Sequence, residues 1–209
     1  MLMLLGRESV KCKNYRGKTM GYLKKLIGEK CYLAQMLYED HEKFAEWFTD
    51  MKTTIGLGDA AGNYSIESTK EFFRENYSSK ANHFSIVDLK EDKLIGFCWL
   101  KDINYIDRAT ELAILIGDSN FRGQGYGVEA MQLIIDYCFN ILNLHNVMVV
   151  VYSHNEKAIG MYKKVGFKEF GRRRESHFIG GKVYDEVYMD ILPRDYKRKS
   201  VTNVYFLKS

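Results

Sequence analysis

The chain has 209 residues, 46% hydrophobic and 28% charged, a composition typical of a globular domain with a sizeable core. No apolar run approaches the roughly 20 residues needed to span a bilayer, so no membrane partner is expected. The net charge is +4, but the excess of Lys and Arg lies in residues 1–30 and 191–209, while residues 31–190 hold 18 basic and 24 acidic residues. A nucleic-acid partner is therefore not predicted, and a mildly acidic domain favours a cationic one.

The cysteine and histidine positions argue against a metal site. Cys12, Cys31, Cys98 and Cys138 are far apart, with no CxxC pair and no histidine at metal-ligand spacing, which indicates free thiols in a reducing compartment. The apolar residues 1–5 are shorter than the apolar core of about 7–15 residues in a secretory signal. We therefore expect a cytoplasmic protein without a metal.

Hydrophobic periodicity divides the chain into a basic N-terminal extension (1–28), a domain (29–196) and a C-terminal tail (197–209). The predicted strands lie at 30–37, 84–87, 94–100, 109–116, 147–152, 167–170 and 183–191. The predicted helices lie at 40–48, from Ser65 or Ser68 through Phe73, at 128–141 and at 156–164. The strand at 109–116 is mostly apolar, which predicts burial on both faces. This order describes one mixed α/β domain.

A glycine-rich loop, Arg122-Gly123-Gln124-Gly125-Tyr126-Gly127, joins this apolar strand to the long helix. Glycines let backbone N–H groups approach a ligand closely, and the helix start adds unpaired donors and a positive dipole end, which together suit phosphate oxygens. The GK[ST] of a Walker loop is absent, and the third glycine is misplaced for the dinucleotide pattern GxGxxG. A third pattern, [RQ]xxGx[GA], is satisfied at every fixed position. A glycine run by itself is more often a plain turn.

That third pattern is the pyrophosphate-binding motif of the GNAT superfamily of N-acetyltransferases, which residues 30–196 resemble. A second motif of the family, Asn-x-x-Ala-x-x-x-Tyr-x-x-x-Gly-Phe, is matched from Asn155 to Phe167. The chain is most similar to the ribosomal-protein N-terminal and spermidine acetyltransferase branch, and residues 102–108 and 178–184 look like the spermidine enzymes. The resemblance implies a GNAT fold: a mostly antiparallel sheet of six to seven strands, splayed between the fourth and fifth strands, with helices on both faces.

The resemblance also implies an acetyl-CoA site in that splay. Backbone groups of one strand would pair with the pantetheine arm, the glycine loop would hold the pyrophosphate, and an asparagine would bond to the arm. The residues concerned are Ile114, Leu115, Ile116, Arg122, Gly123, Gln124, Gly125, Tyr126, Gly127 and Asn155. Tyr162 would be the general acid that protonates the departing thiolate. Without the motif, Tyr162 would be taken for a core tyrosine on an amphipathic helix.

Glu111 is the second candidate catalytic residue, because an acceptor amine must lose a proton to attack and a carboxylate could assist. It is the only acid between Asp107 and Asp118, although a lone acid in a strand is often a salt-bridge partner. The acids of residues 39–50 are predicted to form a solvated helix face, with polyamine binding as the alternative.

The predicted activity is acetyl transfer to a primary amine by direct attack in a ternary complex. Residues 56–62 lack the acidic and aromatic pattern of the spermidine enzymes, so the sequence does not single out spermidine. The acceptor is therefore predicted to be a polyamine, a protein N-terminus or another small amine. The alternative is a GNAT-fold module that binds acetyl-CoA without turnover. A homo-oligomer, most simply a dimer, is also expected.

Overall fold

A computed structural model describes residues 21–58, 61–77 and 82–197 of the chain. Most of the predicted extension and tail therefore lie outside the described residues. The helices are α1 His41–Thr49, α2 Met51–Thr54, α3 Ile66–Tyr77, α4 Tyr126–Asn140 and α5 Glu156–Val165. The strands are β1 Lys24–Ile27, β2 Cys31–Gln35, β3 His83–Asp88, β4 Leu94–Asn104, β5 Ala109–Ile116, β6 Asn146–Tyr152, β7 Lys168–Ile179 and β8 Lys182–Ile191. None of the helices described is long and apolar enough to cross a membrane.

The strands form one eight-stranded sheet in the order β1-β2-β3-β4-β5-β6-β8-β7, in which β5 and β6 are parallel and all other neighbours antiparallel. The mixed α/β fold class is as predicted, but the sheet has eight strands where six to seven were expected. The additional strand, β1, lies within the range predicted as an extension. It has no apolar alternation of its own. The turn after β1 is held by a residue far away in the sequence. The Glu129 carboxylate of α4 accepts the backbone N–H of Glu29 and that of Lys30, the latter at 2.9 Å.

The helices cover both faces of the sheet, as predicted, and each face has its own core. On one face, α4 and α5 pack on the sheet, and alternate residues of β6 (Val147, Val149 and Val151) are buried against them. On the other face, Phe44 of α1 and Phe73 of α3 pack with residues of β4 and β5. Alternation of side chains along each strand supplies both cores from one sheet.

The parallel pair β5–β6 opens into a wedge. The two strands are paired only from Ala109↔Asn146 to Glu111↔Met148, while β5 continues along β4 and β6 continues along β8. The predicted splay is therefore confirmed, since β5 and β6 are the fourth and fifth strands of the sequence prediction. The expectation that β5 is buried on both faces is wrong. Ala113, Ile114 and Ile116 are only half-buried because a cavity lies along the open part of the strand.

Candidate active site

A cavity of about 1410 Å³ occupies the wedge and continues under α1 and α3. It has two ends: a loop end at the glycine loop, and an aromatic end between β4, α1 and α3. Ten of the twelve predicted site residues line it: Glu111, Ile114, Leu115, Ile116, Arg122, Gly123, Gly125, Gly127, Asn155 and Tyr162. Gln124 and Tyr126 are not among the residues that line it. The fold thus brings the two sequence motifs, which are about thirty residues apart, to one cavity.

The backbone of the glycine loop depends on its glycines. Gly123 and Gly125 have φ of 74° and 91°, a region that other residues adopt only with strain. Gly125 is the N-cap of α4, so the first N–H groups of this helix have no acceptor within it and lie at the loop end of the cavity. Gly127 packs so closely on α5 that an added Cβ would lie 2.9 Å from Sδ of Met161. The loop therefore presents backbone donors at a close-packed helix start, which suits a phosphate oxygen.

Arg122 directs its guanidinium away from the loop backbone. Its Nε donates to the carbonyl of Ile116 at 2.8 Å, and its Nη2 donates to the carbonyl of Gly117 and to Oγ1 of Thr53, each at 2.8 Å. The side chain thus joins the end of β5 to α2. In the described structure, Arg122 holds the shape of the cavity wall.

The two loop residues outside the lining anchor the loop from behind. The Tyr126 hydroxyl donates to Asp88 at the end of β3 at 2.7 Å. Gln124 donates from its side chain to the carbonyl of Asn120, and its own carbonyl accepts from the Lys30 ammonium at 2.8 Å. These contacts fix the loop to β3 and to the turn between β1 and β2.

The open edge of β5 and the start of α5 form the walls between the two ends of the cavity. Backbone groups of alternate strand residues point to opposite edges, so Ile114 and Ile116, or Leu115 alone, present theirs to the wedge. Asn155 is the N-cap of α5: its Oδ1 accepts the N–H of Ala158 at 3.2 Å and its Nδ2 donates to the carbonyl of Gly56 at 3.2 Å. Its side-chain amide is thus already engaged with the protein, and it caps the helix that carries Tyr162.

Tyr162 is 6% exposed and lines the cavity from α5. Its ring packs on Phe167, and its hydroxyl makes no hydrogen bond to the part of the chain that the structure describes. Burial, and secondarily the nearby Glu111 carboxylate, raise the pKa of Tyr162 to about 12. The phenol therefore keeps its proton at neutral pH and has a free O–H to donate into the cavity.

Glu111 lies where β4 and β5 pair, opposite Lys101. The Lys101 ammonium donates to its Oε1 at 2.8 Å, and the two side chains are 39% and 28% exposed. The same ammonium lies 5.4 Å from the ring centre of Trp99. Glu111 is therefore a salt-bridge partner that also lines the cavity, and its catalytic role stays a prediction.

The aromatic end was not predicted as a site. It is walled by rings of α1, α3, β4 and the connection between α2 and α3: Phe44, Phe48, Tyr64, Phe72, Phe97 and Trp99. His83 also lines it; burial lowers the pKa of its imidazole, and Nδ1 is buried without a partner among the described residues. Lys101 was missed as well, because a register shift between Lys101 and Asn104 decides which residue of β4 lies opposite Glu111.

Two of the predicted solvated acids, Glu39 and Asp40, are half-buried rather than exposed. Asp40 is half-buried: it accepts the Tyr22 hydroxyl at 2.6 Å and the Ser85 hydroxyl at 3.4 Å. Burial raises its pKa to about 6. Glu42, Glu46 and Asp50 are exposed as expected, and none of these acids lines the cavity.

Comparison with known proteins agrees with this geometry. Residues 31–168 match the acetyltransferase (GNAT) domain family. The spermidine N(1)-acetyltransferase of Vibrio cholerae serotype O1 is 33% identical over 136 residues, which are 65% of this chain and 78% of that protein. The spermidine N(1)-acetyltransferase of Escherichia coli K12 is 35% identical over 101 residues, 48% of this chain and 54% of that protein.

A solved structure agrees as well. Spermidine N-acetyltransferase from Vibrio cholerae, in complex with CoA and spermine, is 28% identical with a TM-score of 0.73, covering 81% of this chain and 99% of that one. The family match spans more than half of the chain, and the Vibrio relative is matched over more than two thirds of its length. The chain therefore belongs to the GNAT family of N-acetyltransferases.

Proposed function

We propose that the chain transfers an acetyl group from acetyl-CoA to a primary amine by direct attack, with both substrates bound together in the wedge cavity. The observation that carries this proposal is the placement of Tyr162. A protonated phenol without a hydrogen-bond partner among the described residues lines one cavity together with a phosphate-type loop and a half-buried carboxylate.

The loop end fits a nucleotide pyrophosphate. The left-handed φ values of Gly123 and Gly125 and the free N–H groups at the start of α4 form a cradle that side chains would distort. Beyond Glu111, β5 has no pairing with β6 among the described residues, so its edge offers backbone groups of the kind that an amide-bearing pantetheine arm needs. The Ile116 carbonyl is the exception, because it already accepts from Arg122. Asn155 contributes by fixing the start of α5 beside that arm.

Acetyl-CoA supplies the acetyl group as a thioester. The acceptor nitrogen forms a bond to the thioester carbonyl carbon as the carbon–sulfur bond breaks, and the O–H of Tyr162 gives its proton to the sulfur. Glu111 is the carboxylate nearest this chemistry, and we assign to it the attraction of the acceptor ammonium and the acceptance, through water, of the proton that the amine loses. The tyrosinate then regains a proton from solvent.

The acceptor is proposed to be a small-molecule or peptide amine bound at the aromatic end. Spermidine belongs in any panel because relatives of this chain are named for it. A cytoplasmic location and a homo-oligomer are also part of the proposal. Among the described residues, Cys31, Cys98 and Cys138 are buried and form no disulfide, which is compatible with a reducing compartment.

The test is release of free CoA thiol from acetyl-CoA across a panel of polyamines, arylalkylamines, amino-acid amides and peptides. Amine-dependent thiol release, with the acetylated amine found by mass spectrometry, is the expected result. Tight acetyl-CoA binding without thiol release on any amine would instead indicate a binding module.

A further inference from the structure

Negative charge is scarce along the cavity. Among the described residues that line it, Glu111 is the only carboxylate, and its charge is already paired with Lys101 at 2.8 Å. Other lining side chains add positive charge: Lys52, Lys157 and Lys164. A polyamine brings several ammonium groups, and each one that leaves water needs an anionic or hydrogen-bonding partner. The described lining offers one carboxylate for these ammonium groups, and its remaining polar side chains carry no negative charge.

The Trp99 ring does not compensate by binding cations with its faces. Phe97, two residues before it on β4, is stacked on it with ring centres 5.0 Å apart at 20°. Lys101, two residues after it, places its ammonium 5.4 Å from the ring centre. An indole face is the best cation–π platform among side chains, and here one cation of the protein itself already occupies it. A second ammonium would meet the Lys101 charge at close range.

The remaining wall is apolar. Phe48 contacts Phe97 and Tyr64, with ring centres 5.7 and 5.1 Å apart, so the rings form a continuous surface. Burial of an apolar group against such rings contributes favourably in proportion to its area. An ammonium group can be attracted to a ring face, but it loses its hydration in the cavity, so this wall favours an aromatic or similarly apolar body over a chain with several ammonium groups.

We propose that Lys101, held between Trp99 and Glu111, is a specificity residue that restricts the acceptor to primary amines with one positive charge and an aromatic or similarly apolar body, and that it disfavours polyamines. This inference rests on the proposed function and narrows its acceptor. Removal of the Lys101 charge would leave Glu111 unpaired and would make the cavity more negative, which favours a polycation.

The experiment measures kcat/KM with 2-phenylethylamine and with spermidine for the wild type, Lys101→Gln and Lys101→Met. Acetyl-CoA binding is measured by calorimetry for each protein. Lys168→Gln serves as the matched control, because it breaks an ion pair with Asp195 and Lys168 is not among the residues that line the cavity. We expect the wild type to prefer 2-phenylethylamine at least tenfold, and the Lys101 variants to shift the ratio toward spermidine by on the order of tenfold, the effect of removing one close like charge.

The outcomes separate the two proposals. A wild type that prefers spermidine would overturn the acceptor inference and leave acetyl transfer standing. A preference for 2-phenylethylamine that neither Lys101 variant alters would remove Lys101 as its cause. Retained acetyl-CoA binding with no turnover on any amine would overturn the proposed function, and the acceptor inference with it. If one Lys101 variant melts at a much lower temperature than the wild type, the role of Lys101 is tested with the other variant. The wild-type ratio of kcat/KM for the two amines tests the acceptor preference in either case.

Discussion

Tyr162→Phe is the most informative single substitution, because it removes one oxygen atom from a buried position. That hydroxyl makes no hydrogen bond to the described residues, so its loss leaves no buried partner unsatisfied. The ring keeps its packing on Phe167. We therefore expect the free energy of unfolding to change by less than about 1 kcal/mol, as for other isosteric core changes.

The catalytic effect should be much larger. The rise in the pKa of Tyr162 from 10 to about 12 corresponds to a preference of about 3 kcal/mol for the protonated phenol. Loss of a general acid commonly costs about 10²–10⁴ in rate. Thiolate is a fair leaving group even without a proton, so we expect the low end, a fall in kcat of about 100-fold, or about 2.7 kcal/mol in the barrier.

The assay is steady-state thiol release with the best acceptor from pH 6.5 to 9.5, for the wild type and Tyr162→Phe. Because the pKa of Tyr162 is raised, its protonated form persists through this range, and wild-type kcat should not fall at high pH through its ionisation. Tyr196→Phe is the matched control; it loses a hydroxyl that donates to the carbonyl of Gln132 and is not among the residues that line the cavity. Wild-type kcat in Tyr162→Phe across the range would refute the assignment.

Two further predictions concern the loop and the buried acid. Gly125→Ala must place a side chain at φ 91°, which costs about 1–2 kcal/mol. Calorimetry should therefore show roughly tenfold weaker binding of acetyl-CoA to this variant. The control is Gly171→Ala, at an open strand position, which should bind acetyl-CoA normally. The pKa of Asp40 is raised to about 6 from 3.8, so the folded state holds its proton more tightly, and its contribution to stability is full below about pH 4 and lost as pH rises through 6. Asp40→Asn should therefore gain stability relative to the wild type between pH 4 and 7 in urea unfolding, and an unchanged difference would contradict the burial effect.

Local patterns predicted most of the fold. The β-branched run of β6 and the apolar run of β5 each predict a strand. The two motifs predict the glycine loop after β5 and the helix α5 after β6. What sequence could not supply depends on distant contacts. β1 is a strand because Glu129, about 100 residues away, holds the turn that follows it. β7 runs to Ile179 rather than stopping near 170 because it is held by backbone pairing with β8, while its side chains are mostly exposed and show no apolar pattern.

Most of the candidate site residues line one cavity, but the direction of their side chains was not predicted. The motif included Arg122 and Tyr126, yet their side chains bond to Thr53 and Asp88, and neither partner is implied by spacing in the sequence. The backbone roles follow from glycine content, which is local information. The aromatic end depends on how α1 and α3 fold over β4, which is tertiary information. Lys101 is a third case, because a register shift between Lys101 and Asn104 places Lys101, and not Asp102, opposite Glu111.

The incomplete pairing of β5 with β6 gives the cavity two regions in which amino-acid substitutions have different consequences. At the open edge of β5, the groups that would contact a ligand belong to the main chain, so many side-chain substitutions there leave them in place. The glycine loop also presents main-chain groups, but its conformation requires glycine at Gly123 and Gly125. At the aromatic end, the groups belong to side chains, and one exchange alters the charge or shape of the wall. In our proposal, main-chain groups hold the acetyl donor and side chains hold the acceptor amine. Substitutions at the aromatic end could therefore change the acceptor amine while the binding of acetyl-CoA is retained.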